Sequence, residues 1–334
     1  MLQTPAGLVD RRASAFRYLS SVTDAARFDS TYHAPVMVAE ILDAFTGAQR
    51  VLDGTLGGGG HSLAFLEAGM DVTGIDRDPN AIATARARLA EYEGNGRFRT
   101  VLTNYADADL APELIGKTFD GILLDLGVSS HQFDDATRGF SFREGAPLDM
   151  RMEGSAGGLS AAEWLNSASE EELTHAFKDF GDEPKGGRIA REVIHRRENR
   201  SLEVSDDLVG AIRKVLGPRS GAPEFARLFQ SVRIAVNDEL DGLTRALPAL
   251  RDRLTPGGVL AVIAYHSGED RLAKHAFREW SSSCICPPKQ LQCTCRGRPL
   301  GLPLTKKALS ATSAETARNT RARSAHLRCW RKAQ

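Results

Sequence analysis

The chain has 334 residues, 42% of them hydrophobic and 26% charged, with 43 basic and 43 acidic side chains. These proportions are ordinary for a globular protein and argue against a disordered or low-complexity chain. No run of about eighteen apolar residues occurs, and residues 1–31 lack the apolar block of a secretory signal. We therefore expect a cytoplasmic protein that does not contact membranes, with residues 1–31 as a flexible extension.

The first part of the chain alternates predicted strands with predicted helices. Strands are expected at 50–56, 71–78, 98–109 and 119–130, and helices at 61–69 and 79–94. Gly69 ends the first helix and Pro79 begins the second. Such alternation predicts an open parallel sheet covered by helices on both faces.

The alternation then stops for roughly ninety residues, which read as helical. Capping boxes begin helices at 160–163 and 169–172, and two amphipathic helices are expected at 187–200 and 205–217. A long helix at 229–254 carries its apolar stripe on Phe229, Val232, Val236, Leu240 and Leu243. A fifth strand follows at 255–267, and two more strands in 303–334 are expected to close the sheet edge. The predicted organisation is a sheet domain, 32–135 and 225–334, interrupted by a helical substrate-recognition domain, 136–224.

The charge is unevenly distributed, because residues 296–334 hold ten basic side chains and one acid, Glu315. The rest of the chain therefore carries a formal charge of about −9. Such a segment is either a solvated terminus or a surface that binds a polyanion.

Four of the five cysteines lie close together, as two C-x-C pairs separated by six residues: Cys284, Cys286, Cys293 and Cys295. This spacing differs from the C-x2-C pairs of common zinc sites. A reduced loop and a metal or redox site both remain open, and no metal is assigned.

Residues 53–62, DGTLGGGGHS, join the first strand to the first helix, where doubly wound folds bind nucleotides. The G-x-G-x-x-G fingerprint of dinucleotide sites fails, because Ser62 occupies the third glycine position. The segment instead reads D-x-x-x-G-x-G, from Asp53 to Gly59, a turn that suits S-adenosylmethionine. Asp76 ends the second strand, where a carboxylate can accept both ribose hydroxyls. A tight turn without a ligand is the alternative.

Asp125 ends the fourth predicted strand, so it lies at the same edge of the sheet. Amino-group methyltransferases often have an acid or amide there, followed by two prolines and an aromatic residue. Here the tetrapeptide is Asp-Leu-Gly-Val, which keeps the oxygen acceptor and lacks the rest. A carboxylate that only caps the next turn is the alternative.

With these residues in view, the chain resembles the RsmH (MraW) family of bacterial 16S rRNA cytosine-N4 methyltransferases. The resemblance runs from about Tyr32 to Arg328 and rests on several long segments: HAPVM, DGTLGGGGHS, GIDRDPNAI, GILLDLGVSSHQFD, RGFSF, PLDMRM, FQSVRIAVNDEL, HSGEDR and RARSAHLR. The fold implied is a Rossmann-like, class I S-adenosylmethionine-dependent methyltransferase sheet with an inserted all-helical domain. The implied substrate is a decoding-region (P-site) cytosine of 16S rRNA in the assembled small ribosomal subunit.

The resemblance also assigns residues to the cofactor, S-adenosyl-L-methionine: Gly59, Gly60, His61, Asp76, Tyr105, Asp125 and Gln132. The sequence departs from the family around the histidine-serine pair, where phenylalanine and leucine are replaced by Tyr265 and Gly268. It departs again at Asn319-Thr320, where the family has asparagine-proline, and just before FQSVRI.

Asp125, His266 and Ser267 are the predicted catalytic residues, since strand five also delivers HSGEDR to the carboxyl edge of the sheet. Positioning of the target amine can supply roughly 7–11 kcal/mol of the barrier. A base adds a factor of about 10²–10⁴, so positioning is the larger contribution. In the alternative interpretation of this segment, Ser267 caps the helix and two acids occupy its first turn.

The predicted substrate-binding residues are two aromatic and six charged side chains: Phe140, Phe142, Glu269, Asp270, Arg271, Arg318, Arg321 and Arg323. The phenylalanines either stack on an exposed base or belong to the core. The arginines, with those at 188–200, either contact phosphate or are simply solvated.

Two other functions compete with methyl transfer. A nicotinamide-dependent oxidoreductase predicts NAD binding, and Ser62 counts against it. An RNA-binding assembly factor without catalysis is the second, and intact Gly59, Asp76 and Asp125 count against that.

Overall fold

The computed structural model describes residues 26–29, 34–127, 135–154, 157–287, 290 and 292–334. The predicted extension, 1–31, lies outside the described residues except for 26–29. Two compact units are present: Met1–Asp76, Ile82–Leu126 and Leu247–Gln334 form the sheet unit, and Arg77–Ala81 with Gly127–Ala246 form the helical unit.

Within the described part of the chain, the sheet has eight strands: β1 (Arg50–Asp53), β2 (Asp71–Asp76), β3 (Phe98–Leu102), β4 (Phe119–Asp125), β5 (Leu254–Ala264), β6 (Gly301–Pro303), β7 (Leu309–Ser310) and β8 (His326–Lys332). Its order is β3-β2-β1-β4-β5-β8-β6, with β7 pairing β8. Strands β1 to β5 run parallel, whereas β8 is antiparallel to β5 and to β6. This topology confirms the predicted α/β fold of the Rossmann-like methyltransferase type.

The α-helices in the described residues are α1 (Val38–Ala44), α2 (Gly60–Glu67), α3 (Pro79–Arg88), α4 (Ala90–Gly94), α5 (Ala161–Ser167), α6 (Glu170–His175), α7 (Gly186–Arg197), α8 (Ser205–Leu216), α9 (Ala222–Val236), α10 (Glu239–Asp252), α11 (Ser267–Trp280) and α12 (Ser313–Arg318). Among these residues, no helix combines the length and the apolarity that crossing a bilayer requires.

The chain reverses its direction of travel across the sheet between β1 and β4. It proceeds outward from β1 to β2 and β3, then returns to place β4 on the other side of β1. Val51 of β1 is paired with Val72 of β2 on one side and with Gly121 of β4 on the other. Ligands of open α/β sheets bind beyond the carboxyl ends of strands at such a reversal. We therefore expect the ligand site at the carboxyl ends of β1 and β4.

Two predicted helices are each broken in the structure. The helix expected at 79–94 is divided at Leu89 into α3 and α4. The long helix expected at 229–254 is divided at Asn237 and Asp238, the latter with φ 53°. The side chain of Asn237 bonds to the backbone of another segment: its Nδ2 donates to the Met150 carbonyl at 2.7 Å, and its Oδ1 accepts the Met152 N–H at 2.8 Å. Short amide and acid side chains tolerate this backbone geometry, so the break costs little.

The helical unit has its own apolar core, to which α5, α7, α8 and α9 all contribute. Both predicted capping boxes form, with Ser160 and Ser169 at the N-caps of α5 and α6. The unit is wider than the predicted insertion at 136–224, because side chains of α9 such as Leu228 and Val232 are buried in its core.

The edge of the sheet is closed by three strands where two were expected. β8 is the central one and pairs with β5, β6 and β7. Its Trp330 is fully buried and meets Trp280 of α11 edge to face, with ring centroids 5.2 Å apart. The predicted strands 50–56, 98–109 and 119–130 end earlier than expected, at Asp53, Leu102 and Asp125.

Candidate functional site

Three adjacent strands end in a carboxylate at the same edge of the sheet. Asp53, Asp76 and Asp125 are the last residues of β1, β2 and β4, which are neighbours in the strand order. Parallel strands bring these three carboxylates to one crevice, which suits a cationic ligand and disfavours the phosphates of a dinucleotide. The edge therefore supports a sulfonium cofactor over NAD.

The turn after β1 is attached to the strands on both sides. The Gly54 N–H donates to the Leu123 carbonyl at 2.8 Å, and the Leu56 N–H donates to the Ile75 carbonyl at 3.0 Å. Gly57 then donates its N–H to Asp76 Oδ2 at 2.8 Å. The turn and the acid that ends β2 are thus held as one rigid piece.

The run of glycines is explained by backbone geometry at the start of α2. Gly59 is the N-cap, with φ +74°, and a Cβ there would lie 3.0 Å from Leu89 Cδ1. A Cβ on Gly60 would lie 3.0 Å from the Pro35 ring and 3.2 Å from the Phe28 carbonyl. Side chains are excluded at both positions, and the helix begins without a side-chain cap. Its first N–H groups are therefore presented at the crevice.

Asp53 is internal to the turn. Its carboxylate is 1% exposed and accepts hydrogen bonds from Ser62 Oγ at 2.7 Å and from the Thr55 N–H at 3.3 Å. Burial raises the pKa of Asp53, and the neighbouring His61 opposes that rise. Asp53 thus stabilises the glycine turn by these two hydrogen bonds on its buried side.

Asp125 is held from three directions. Its backbone N–H donates to Thr55 Oγ1 at 2.7 Å, which ties the end of β4 to the glycine turn. The Tyr265 hydroxyl donates to Asp125 Oδ1 at 2.8 Å, and His61 Nδ1 lies 3.7 Å from Oδ2. Burial, together with the charge of Asp125, raises the pKa of Tyr265 well above its usual value, so the hydroxyl keeps its proton.

The orientation of His61 is determined by a backbone carbonyl. His61 Nε2 lies 2.9 Å from the Val36 oxygen, which can only accept, so Nε2 carries a proton. Nδ1 is then the atom directed at Asp125, and the ring side chain is 5% exposed.

These residues fit S-adenosylmethionine by their chemistry. Asp76 is fixed at the end of β2, and α2 begins with a bare backbone at Gly59. Tyr105 follows β3 at the same edge, and its Cβ lies 3.7 Å from the position of a Cβ built on Gly54. The structure thus gathers the predicted cofactor residues of the sheet unit into one region. Gln132 lies outside the described residues.

The second predicted cluster, HSGEDR after β5, has partners within the protein. His266 is the N-cap of α11, one residue before the Ser267 cap of the alternative interpretation. Glu269 Oε2 accepts the N–H groups of Tyr265 at 2.8 Å and His266 at 3.3 Å. Asp270 is paired with Arg328 of β8 through two contacts of 2.7 and 2.9 Å, which hold the pKa of Asp270 below its usual value.

The predicted RNA-binding arginines divide into two groups. Arg318 contacts both carboxylate oxygens of Asp29, at 3.1 and 3.2 Å, so it stabilises the fold. Arg321 lies in the 3-10 turn after α12, and its N–H donates to Asn319 Oδ1 at 3.1 Å. Arg271 and Arg323 are exposed.

Several arginines of α7 also have protein partners. Arg197 donates to the Leu165 and Ala168 carbonyls at 2.9 and 2.7 Å, and Arg196 pairs with Glu192 at 2.8 Å. Arg197 thus connects α7 to the end of α5, whereas the pair of Arg196 with Glu192 lies within α7 itself.

The phenylalanines of RGFSF belong to the core of the helical unit. Phe140 is 8% exposed, and Phe142 contacts Phe225 and Phe229 edge to face at 6.0 Å between centroids. The structure therefore favours the core alternative and corrects the assignment of these rings to base stacking. The preceding Gly139, at φ +70°, leaves no room for a side chain beside the Pro147 carbonyl.

Sequence reasoning missed the contribution of Tyr265, which was noted only as a departure from the family. A signal was available, since Tyr265 lies near the end of the strand predicted at 255–267, at the carboxyl edge of the sheet. Its contact with Asp125 joins residues 140 positions apart, which no local pattern reveals. Thr55 and Ser62 were likewise visible only as members of the glycine motif.

Comparison with known proteins identifies the family. A profile of the MraW methylase family matches residues 30–333. The Ribosomal RNA small subunit methyltransferase H of Gemmatimonas aurantiaca is 65% identical over 303 residues, covering 91% of this chain and 96% of that protein. The protein of the same name from Heliobacterium modesticaldum is 42% identical over 311 residues, covering 90% and 98%.

Among solved structures, a putative methyltransferase from Streptococcus mutans in complex with SAH aligns over 87% of this chain and 94% of that chain. Its TM-score is 0.37 and its sequence identity 10%. The predicted family and the predicted cofactor, S-adenosylmethionine, are both confirmed by the profile match. From residue 30 to residue 333, glycine turn and carboxylate edge included, this chain belongs to the MraW methylase family.

Proposed function

We propose that this chain methylates the exocyclic N4 of a decoding-region (P-site) cytosine in 16S rRNA, within the assembled small ribosomal subunit. The curated relatives are named as small-subunit rRNA methyltransferases, which supports the substrate class. The choice of cytosine N4 rests on the motif resemblance. The observation that carries the proposal is Asp125, a buried carboxylate bonded through its backbone to the glycine turn.

Asp125 is placed to act on the acceptor nitrogen. The lone pair of cytosine N4 is delocalised into the ring, so the nitrogen is a weak nucleophile. S-adenosylmethionine supplies an electrophilic methyl group on a sulfonium. A carboxylate that accepts one N4–H orients the nitrogen, which forms the new N–C bond as the C–S bond breaks and then releases one proton.

Tyr265 and His61 act on this step as positioning residues. The Tyr265 hydroxyl donates to Oδ1, and His61 Nδ1 lies 3.7 Å from Oδ2, so both carboxylate oxygens have a defined neighbour. The side chain of Asp125 is 7% exposed, so its two oxygens cannot exchange partners without moving buried groups. A fixed acceptor direction lowers the entropic cost of aligning nitrogen and methyl.

The RNA side of the site is assigned to exposed basic residues and not to those with internal partners. Arg271 and Arg323 remain as phosphate-binding candidates in the sheet unit. Each phosphate contact makes binding weaken with salt, by a slope of about 0.7–0.9 per contact. The target base must leave its stack to reach a buried carboxylate, at a cost of a few kcal/mol.

The test uses small ribosomal subunits from cells that lack this modification. We expect the purified protein to transfer labelled methyl from S-adenosylmethionine to the subunit, and nuclease digestion with mass spectrometry to find N4-methylcytidine. Methyl on another atom or base contradicts the cytosine-N4 assignment. Binding to the subunit without transfer supports the assembly-factor alternative.

Calorimetry with S-adenosylmethionine and NAD in parallel separates the oxidoreductase alternative. We expect heat of binding from the first alone, because the carboxylates of Asp76 and Asp125 at this edge disfavour the phosphates of NAD.

A further inference from the structure

Four cysteine side chains meet in the segment between α11, which ends at Trp280, and β6, which begins at Gly301. Cys284, Cys286, Cys293 and Cys295 all lie in the described residues, and their sulfur atoms are all within 4.8 Å of one another. Sequence spacing favoured a reduced loop and left a metal or redox site as the less supported alternative. The three-dimensional arrangement distinguishes them.

The distances between the sulfurs are those of a tetrahedron. Cys284 Sγ lies 3.9 Å from Cys293 Sγ and 3.8 Å from Cys295 Sγ. Cys293 Sγ lies 3.9 Å from Cys286 Sγ and 3.5 Å from Cys295 Sγ. A zinc ion bound by four thiolates at about 2.3 Å requires an edge of about 3.8 Å between sulfurs. A disulfide requires about 2.05 Å, so these cysteines are not arranged as pairs.

We propose that these four cysteines bind one Zn²⁺ ion as a closed, structural site. Four thiolates in a tetrahedron are the donor set that zinc prefers, and they leave no position open for water or substrate. The Ile285 N–H also points at Cys295 Sγ, at 3.4 Å, as backbone groups do around metal-bound thiolates. The site is separate from the Asp125 carboxylate in both residues and chemistry.

A bound ion would order the segment between α11 and β6, whose described cysteine and isoleucine side chains are largely exposed. Cys284 and Cys293 are exposed, and Ile285 is 44% exposed, so these described side chains of the loop are not ordered by an apolar core. The base of the loop is attached to the end of α11, where Arg296 lies 3.5 Å from Glu279 Oε1. The Leu300 N–H donates to the Trp280 carbonyl at 2.8 Å. Closing the intervening loop with a metal replaces the missing hydrophobic contacts.

Metal content of the full-length protein tests the proposal. We expect one zinc per chain by mass spectrometry after purification under reducing conditions and dialysis against a weak chelator. Cobalt should replace zinc and give the thiolate charge-transfer and d–d absorption of a tetrahedral four-sulfur site. Cys284→Ser and Cys293→Ser should each reduce bound metal to near zero. Ser283→Ala, an exposed neighbour that is not a ligand, should retain it.

Protease sensitivity supplies a second measurement that does not depend on activity. Chelation, or Cys293→Ser, should accelerate cleavage within 282–299 at least several-fold, while binding of S-adenosylmethionine stays unchanged. Absence of zinc from the reduced protein even after reconstitution overturns the proposal, as does iron as the bound metal. Disulfides among these cysteines in freshly prepared protein also overturn it. None of these outcomes bears on whether the chain methylates rRNA.

Discussion

Two strand-to-helix junctions lie at the same edge of the sheet, and they differ in how their polar groups are satisfied. After β1, the chain enters α2 through Gly59, which offers no side chain to the helix N-terminus. After β5, it enters α11 through His266, and the Glu269 carboxylate occupies the N–H groups of the turn. The first junction leaves donors for a ligand, whereas the second uses its own acids.

A polar cluster at the carboxyl edge of the sheet is therefore not sufficient to define a ligand site. Both junctions carry a histidine, a serine and acids in the sequence, and both were predicted to contribute functional residues. Only at the first does the helix N-terminus lack a side-chain partner, because glycine stands where a capping side chain would otherwise satisfy it.

The largest expected effect comes from Asp125→Ala. We expect methyl transfer to fall by a factor of about 10²–10⁴, because the acceptor of the target N–H is removed. The protein should remain folded, since the Thr55 contact uses the backbone of residue 125, but its thermal midpoint should fall moderately because the Tyr265 hydroxyl loses its acceptor. Asp109→Ala, an exposed acid in the same unit, is the control. Near-normal turnover by the Asp125 variant would refute its role.

Gly59→Ala tests the open junction itself. Both Gly59 and Gly69 have positive φ, at +74° and +93°, so alanine costs about 1–2 kcal/mol at either position. Only Gly59 lies at the N-terminus of α2, with Leu89 Cδ1 3.0 Å from its built Cβ, whereas Gly69 has open space. We expect Gly59→Ala to weaken S-adenosylmethionine binding at least about tenfold, or ~1.4 kcal/mol, by calorimetry. Gly69→Ala should bind normally; equal weakening in both would contradict a ligand role.

Tyr265→Phe tests the link between the second junction and Asp125, the residue at the end of β4 whose backbone is bonded to the glycine turn of the first. The hydroxyl donates to Asp125 and keeps its proton, because burial raises its pKa. A donated hydrogen bond favours the charged carboxylate, so its loss should move the acidic limb of the pH–rate profile to higher pH. We expect kcat to fall by less than about tenfold at neutral pH. An unchanged profile with reduced stability would leave Tyr265 with a purely structural role.

Asp270→Asn should have the smallest effect: it should lower the stability of the fold and leave methyl transfer unchanged. The pair with Arg328 is mostly buried, with side chains 24% and 13% exposed, and its loss should cost about 1 kcal/mol at neutral pH. Because Arg328 lowers the pKa of Asp270, the stabilisation is complete above the ordinary carboxyl value of about 4. It disappears as the pH falls through the lowered value.

Urea titrations of both proteins at neutral and acidic pH measure this difference. The two curves should converge in acid, and Asp109→Asn should show no difference at either pH. A large loss of methyl transfer in Asp270→Asn would instead return Asp270 to the substrate pocket.

The sequence alone determined the features that depend on neighbouring residues. Apolar runs predicted the five parallel strands, serine and glutamate three apart predicted the caps of α5 and α6, and the glycines predicted an open turn. Each depends on backbone preferences and periodicity within a few residues, which the chain expresses wherever it folds.

Tertiary structure decided which polar residues meet. Tyr265 reaches Asp125 across 140 positions, Arg318 reaches Asp29 across 289, and four cysteines form one tetrahedron. The same folding buried Phe140 and broke the helix at Asn237, against the local pattern. These outcomes depend on sheet order and packing, because a side chain's partner is set by which strands lie side by side and not by its neighbours in sequence.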